Sequence, residues 1–263
     1  DSAMADSLLP LCLHYLTGVT AAHGPEEAWN EGMSYGMAKS YAMLRASLCA
    51  AIALPELEVA KNPVYTRLLE WFNHLSPIGL ERHSFGEYAS NIDARRGTIL
   101  QVTRALTWLT QDGRGRERWL ALAAEVGDNV RTTPHLHRWS YSPWIELLAA
   151  TRFDTPEPEK NKKAMLFPEA GWAFALHGSV SDREAFANDV GMLFKCRPRG
   201  GYSHSYRSEN DFVWHAYGQT VGASGGRMAY PDPHSRHSLT HNVILVNGLR
   251  QEWSDLEHYA PGW

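Results

Sequence analysis

The sequence predicts an α+β chain, with helices first and an antiparallel sheet after them, on three observations. Apolar residues recur at steps of three or four through residues 1–155, the spacing of one helix face. The polar, proline-bearing stretch Asp154-Thr-Pro-Glu-Pro-Glu-Lys-Asn-Lys-Lys163 then interrupts that pattern. Beyond it, short β-branched and aromatic runs are bounded by Gly or Pro, and one leads straight into Asn247-Gly248, a tight-turn pair. The expected division is a helical part at 1–155, a linker at 156–165 and a sheet part at 166–263.

Taken in order, Leu8, Leu9, Leu11, Leu13 and Leu16 open a helix expected to be buried. Met37, Tyr41, Leu44, Leu48 and Ile52 form a stripe that ends near Pro55. Leu68, Leu69, Trp71 and Phe72 continue until Ser76-Pro77, and Ile99, Val102, Leu106 and Leu109 run to Gln111-Asp112-Gly113. Trp119, Leu122 and Val126 add a helix before Gly127, and Trp144 to Ala150 another. Met192–Cys196, Asp211–Tyr217 and Asn242–Val246 read as strands. Only fifteen residues follow Gly248, fewer than the strands a β-sandwich needs, so truncation at the C-terminus is expected.

The 263 residues are 44% hydrophobic and 21% charged, ordinary for a globular protein with a substantial core. A net charge of −4 provides no electrostatic basis for a nucleic-acid partner. No apolar run reaches the roughly 18 residues of a membrane span. Cys12, Cys49 and Cys196 are scattered and odd in number, neither a disulfide framework nor a metal spacing. Ten tryptophans and eleven tyrosines supply core anchors, and some of them candidate platforms for sugar rings.

Four stretches carry more specific information: Trp29-Asn-Glu-Gly-Met-Ser-Tyr35, Phe167-Pro-Glu-Ala-Gly-Trp172, Tyr202-Ser-His-Ser-Tyr-Arg-Ser-Glu-Asn-Asp-Phe212 and Ser238-Leu-Thr-His-Asn-Val-Ile-Leu-Val-Asn-Gly248. Together and in this order they resemble the heparinase II/III-like polysaccharide lyases, a family that includes alginate and glycosaminoglycan lyases. The resemblance implies an incomplete (α/α) toroid followed by a β-sandwich, here incomplete at both ends. It also implies β-elimination on a uronic-acid-containing polysaccharide, and a periplasmic or secreted location follows from the size of such polymers. No organic cofactor is implied.

β-Elimination beside a uronate has three requirements: neutralising the carboxylate, removing the C5 proton and protonating the leaving oxygen. Tyr35, in the Glu-Gly-x-x-Tyr segment, is the first candidate, as acid and also as base. His204 is the second, as base or as donor to the carboxylate. A solvated loop histidine, and a tyrosine that merely begins a helix stripe, remain the bland alternatives. Asn30 and Glu31 are candidates to orient substrate, or simply to cap a helix. Arg199, Tyr202 and Arg207, with Arg197, could bind carboxylate or sulfate, or form a solvated basic rim. Trp139 and Tyr141 could stack on sugars or pack in the core, and His83 and Glu87 are further cleft candidates. The family residue that neutralises the carboxylate lies before the tyrosine, and the thirty-four residues ahead of Tyr35 leave little room for it. The expectation is that the first half of the toroid is missing and that the piece alone is inactive.

In the resemblance, the position of His241 can ligate zinc. Here Tyr206 and Ala223 stand at the other two ligand positions, so a divalent metal is possible but the family's zinc set is mostly absent. Asp232, His234 and His237 are an alternative cluster. Two other functions remain open: a toroid glycoside hydrolase, for which Glu31 and Asp93 would be the paired carboxylates, and a non-catalytic carbohydrate-binding fragment.

Overall fold

In the computed structural model, which describes residues 2–22, 32–80, 96–126, 163–176, 178–196, 209–222, 238 and 241–249, helices precede an antiparallel sheet, so the chain is α+β. The described helices are α1 (Ser2–Ala22), α2 (Met33–Ala53), α3 (Pro63–Leu75), α4 (Arg96–Thr110), α5 (Gly113–Val126) and the short α6 (Arg183–Ala187). The strands are β1 (Ala164–Phe167), β2 (Trp172–Leu176), β3 (Val190–Lys195), β4 (Asp211–Ala216) and β5 (Gln219–Gly222), paired in chain order. The helix expected at 144–150 lies outside the described residues.

Local chemistry explains the helix ends. Asn62 caps α3 by accepting from Val64 N at 3.0 Å, Pro63 occupies the first turn, and Ser76 N donates back to Phe72 O to close it. Gln111 takes a positive φ of 54° between α4 and α5, and Asp112 accepts from Arg114 N at the start of α5. The two helices then approach closely. A Cβ on Gly115 would lie 2.3 Å from Thr107 Oγ1, so only glycine fits there.

Helix α3 is the central helix. Val64, Tyr65, Leu68, Leu69, Trp71, Phe72 and Leu75 are all buried, so apolar surface covers most of its circumference. Helix α1 differs from expectation. Leu16 is buried, but Leu8, Leu9 and Leu11 are exposed, because one side of α1 packs on α2 while the leucine-rich turn faces outward.

The sheet alternates as a half-buried sheet should. Met165, Phe167, Trp172, Phe174, Leu193 and Val213 point inward, while Leu166, Met192 and Trp214 are exposed on the other face. The inward face packs on α3. The rings of Trp71 and Trp172 meet edge to face at 6.0 Å, and His74 lies 5.9 Å from Phe174. Backbone and guanidinium contacts reinforce this seam. Ile78 N donates to Val180 O at 2.9 Å, and Arg67 Nη2 donates to Leu166 O at 2.8 Å. Arg118 is wholly buried and donates to Val180 O at 2.8 Å and to Ser76 O and Oγ. Burial pushes its pKa down to about 9 against the pull of Glu125, so it remains a cation at neutral pH.

One expected strand is absent. Asn242–Val246 forms no ladder among the described residues, only a Val246–Leu249 bridge across Asn247 and Gly248. Those two residues have φ of 53° and 73°, the turn geometry their sequence implies. The run fails as a strand because Asn242, at its start, is bound to β4 through its amide and side chain. Ile244 and Val246 beyond it are exposed, and among the described residues neither joins a ladder.

Candidate functional site

One row of the sheet brings separated sequence stretches together. Phe167 pairs with Trp172, Trp172 with Lys195, and Lys195 with Asp211, in register across β1 to β4. All four residues are buried. Phe167 and Trp172 begin and end the tight turn of the Phe-Pro-Glu-Ala-Gly-Trp stretch, where Gly171 (φ 72°) accepts from Cys196 N at 2.7 Å. The row runs from two rings to two charged side chains, and a cation lies against each ring. Arg67 Cζ lies 4.2 Å from the Phe167 centroid, and Lys195 Nζ lies 5.8 Å from that of Trp172. Beside the far end of the row lies His241.

Asp211 organises that end. Its Oδ1 accepts from its neighbour Phe212 N at 2.8 Å and from Asn242 N at 3.1 Å. Its Oδ2 lies 2.9 Å from His241 Nδ1. Asn242 returns the link by donating Nδ2 to Phe212 O at 2.7 Å. A carboxylate with no solvent exposure is thus satisfied by two backbone N–H groups and an imidazole. Thermodynamically this arrangement pins the 241–249 segment to β4. Chemically it holds one imidazole in a single orientation inside the protein.

The sequence-based candidates divide as follows. His241 is described and enters this cluster. Tyr35 is the third residue of α2, after Gly32, whose φ of 82° requires glycine; the position of its side chain lies outside the described residues. His204, Asn30, Glu31, His83, Glu87, Trp139, Tyr141, Arg199, Tyr202 and Arg207 lie outside the described residues, as do Arg197, Asp93, Asp232, His234 and His237.

No family model matches the chain, and no curated protein matches it. Among solved structures, the chain is similar to a heparinase III gene product. The TM-score is 0.49 at 12% identity, covering 90% of this chain and 33% of that one. A structure of that product with methylated lysines gives a TM-score of 0.48 at 12% identity, over 89% and 32%. The chain therefore spans about a third of the length of these structures.

As to metal, the described residues contain no group of three or more His, Cys, Asp or Glu able to hold an ion. They do not compose the tetrahedral set that the resemblance implies around His241. Two residues of the cluster escape a motif-based reading, Asp211 as an acceptor and Lys195 as its cross-strand partner. Strand periodicity would have found both. In Asp211-Phe-Val-Trp-His the inward positions are Asp211, Val213 and His215, and Lys195 shares a face with Leu193. A charged residue at an inward strand position is the signal.

A second ionic cluster lies on the helical side. Glu70 accepts from Arg67 at 2.8 Å and Arg114 at 3.1 Å, and Arg114 also holds Asp112 at 2.5 Å. Burial alone would raise the Asp112 carboxyl, but the hydrogen bond and charge of Arg114 outweigh it and hold the group below its usual range. Arg114 is correspondingly raised, first by its bond to Asp112. In this cluster carboxylates and guanidiniums face one another at close range.

Proposed function

We propose that this chain is part of a polysaccharide lyase that cleaves a uronic-acid-containing polymer, alginate or a glycosaminoglycan, by β-elimination. The observation that supports it is the convergence of three of the four sequence stretches at one end of the sheet. Phe167 and Trp172 share a buried register row with Asp211, and His241 and Asn242 are hydrogen-bonded to Asp211 and Phe212 beside its end, although the three stretches lie tens of residues apart. In this reading the helices are part of an (α/α) toroid, the sheet is the first layer of a β-sandwich, and the substrate is an acidic polysaccharide.

Tyr35 donates the proton to the leaving oxygen and His204 assists at the C5 proton or the carboxylate, with Asn30 and Glu31 orienting the sugar. Arg199, Tyr202 and Arg207 meet the anionic groups, and His83, Glu87, Trp139 and Tyr141 complete the cleft. The acid role suits Tyr35 better than the base role. Keeping a phenol with a pKa near ~10 ionised at pH 7 costs about 4 kcal/mol. The N-terminal turn of α2, where Tyr35 lies, returns roughly 0.3–1 kcal/mol to an anion. As an acid the phenol needs no such help.

Alginate, heparan sulfate, chondroitin and hyaluronan should be incubated with this chain and with a longer natural polypeptide that contains it, while following ultraviolet absorbance of the unsaturated uronate. Absorbance rises with at least one polymer, and Tyr35→Phe lowers the rate by about 100-fold or more without moving the unfolding midpoint. Reducing ends without absorbance would replace elimination by hydrolysis and turn attention to Glu31 and Asp93. Undiminished absorbance in Tyr35→Phe would remove the tyrosine from the chemistry.

A further inference from the structure

We infer that Asp211 is a positioning residue that holds His241 as the Nδ1–H tautomer, leaving Nε2 with a lone pair as the nitrogen that accepts a hydrogen bond or a proton. The inference stands on geometry alone. A carboxylate can only accept, and Asp211 Oδ2 lies 2.9 Å from His241 Nδ1, so the hydrogen between them belongs to the ring. A neutral imidazole with its proton on Nδ1 has none on Nε2. The carboxylate cannot turn away, because Oδ1 is fixed by Phe212 N at 2.8 Å and Asn242 N at 3.1 Å. With Asp211 fully buried and the His241 side chain nearly so, water offers no competing arrangement. If the lyase reading holds, this assigns His241 to accept a hydrogen bond or proton from a hydroxyl, and leaves proton donation to Tyr35.

The same geometry predicts what Asp211→Asn does. The two backbone N–H groups retain the amide oxygen at the Oδ1 position, which turns the amide nitrogen toward His241. A donor then faces Nδ1, so Nδ1 must accept, and the ring proton moves to Nε2. A variant that keeps size, shape and backbone bonds thus inverts the tautomer.

The test is the long-range proton–nitrogen spectrum of the 263-residue chain with 15N-labelled histidine, His241 being assigned by the signals lost in His241→Gln. Protonated and unprotonated ring nitrogens are far apart in 15N shift, and the coupling pattern tells Nδ1 from Nε2. The expected result at neutral pH is a protonated Nδ1 and an unprotonated Nε2 in the native chain, exchanged in Asp211→Asn. A native ring protonated at Nε2, or at both nitrogens, overturns the proposal, as does an Asp211→Asn spectrum unchanged from native. Should Asp211→Asn not fold, the native spectrum decides alone. Since no turnover is measured, failure here and failure of the lyase reading are separate results.

Discussion

Glu70 and Asp211 are both buried carboxylates, and the molecule satisfies them in different ways. Glu70 meets two guanidiniums, Arg67 and Arg114, and Arg114 in turn grips Asp112. Asp211 meets two backbone N–H groups and one imidazole. In the first cluster the groups balance charge against charge and secure α3 against the start of α5. In the second a carboxylate orients a titratable ring that has a second nitrogen. Buried charge is therefore no mark of function in itself. What distinguishes the Asp211 cluster is its orienting geometry and its place among sequence stretches that resemble a lyase.

The largest effect should come from breaking the balanced cluster. Arg114→Met takes a guanidinium from both Glu70 and Asp112, and should cost about 3–5 kcal/mol of stability in urea unfolding. Whatever activity the folded fraction has should be unchanged per molecule. A loss of under 1 kcal/mol would show that the cluster is solvated rather than buried.

Two histidines near β4 sharpen the contrast. His241 has a carboxylate partner, whereas His215 is buried beside the Phe186 ring with only Thr220 Oγ1 at 3.4 Å from Nδ1, and burial pushes its pKa down to about 4. The unfolded chain, with an ordinary value near 6.5, binds a proton as pH falls below 6.5, while the folded chain does not until about 4. Stability should therefore fall across that window by about 3 kcal/mol and then level off for this group. Urea midpoints at several pH values measure the slope, and His215→Leu should lose it. An identical slope in His215→Leu would assign the acid sensitivity elsewhere.

An exposed carboxylate sets the low end of the scale. Asp182 caps α6 by accepting from Glu184 N at 2.8 Å and Ala185 N at 3.2 Å. Asp182→Ala should cost about 1 kcal/mol in the same assay, a third or less of the Arg114 effect. A cost as large as that of Arg114→Met would mean that α6 anchors the seam rather than ornamenting it.

Helix periodicity located α2 to α5 because each presents an apolar stripe to a shared core, a pattern that survives in one dimension. It misjudged Leu8, Leu9 and Leu11, since a leucine run states that a turn is apolar but not which side another element covers. The strands at 190–195 and 211–216 were legible from composition, whereas Asn242–Val246 was misread because a strand requires a partner and composition does not specify one. His241 was singled out by its motif. Asp211 and Lys195 were not, because their significance lies in cross-strand register.

The sequence by itself determined the order of helices and sheet, the Asn247-Gly248 turn and the glycine before Tyr35, all consequences of local φ, ψ and periodicity. Only the tertiary structure decided that Phe167, Trp172, Lys195 and Asp211 form one buried row ending beside His241. Strand register and hydrogen bonding couple residues sixteen to thirty positions apart, and the free energy of such a contact depends on which buried donor meets which acceptor.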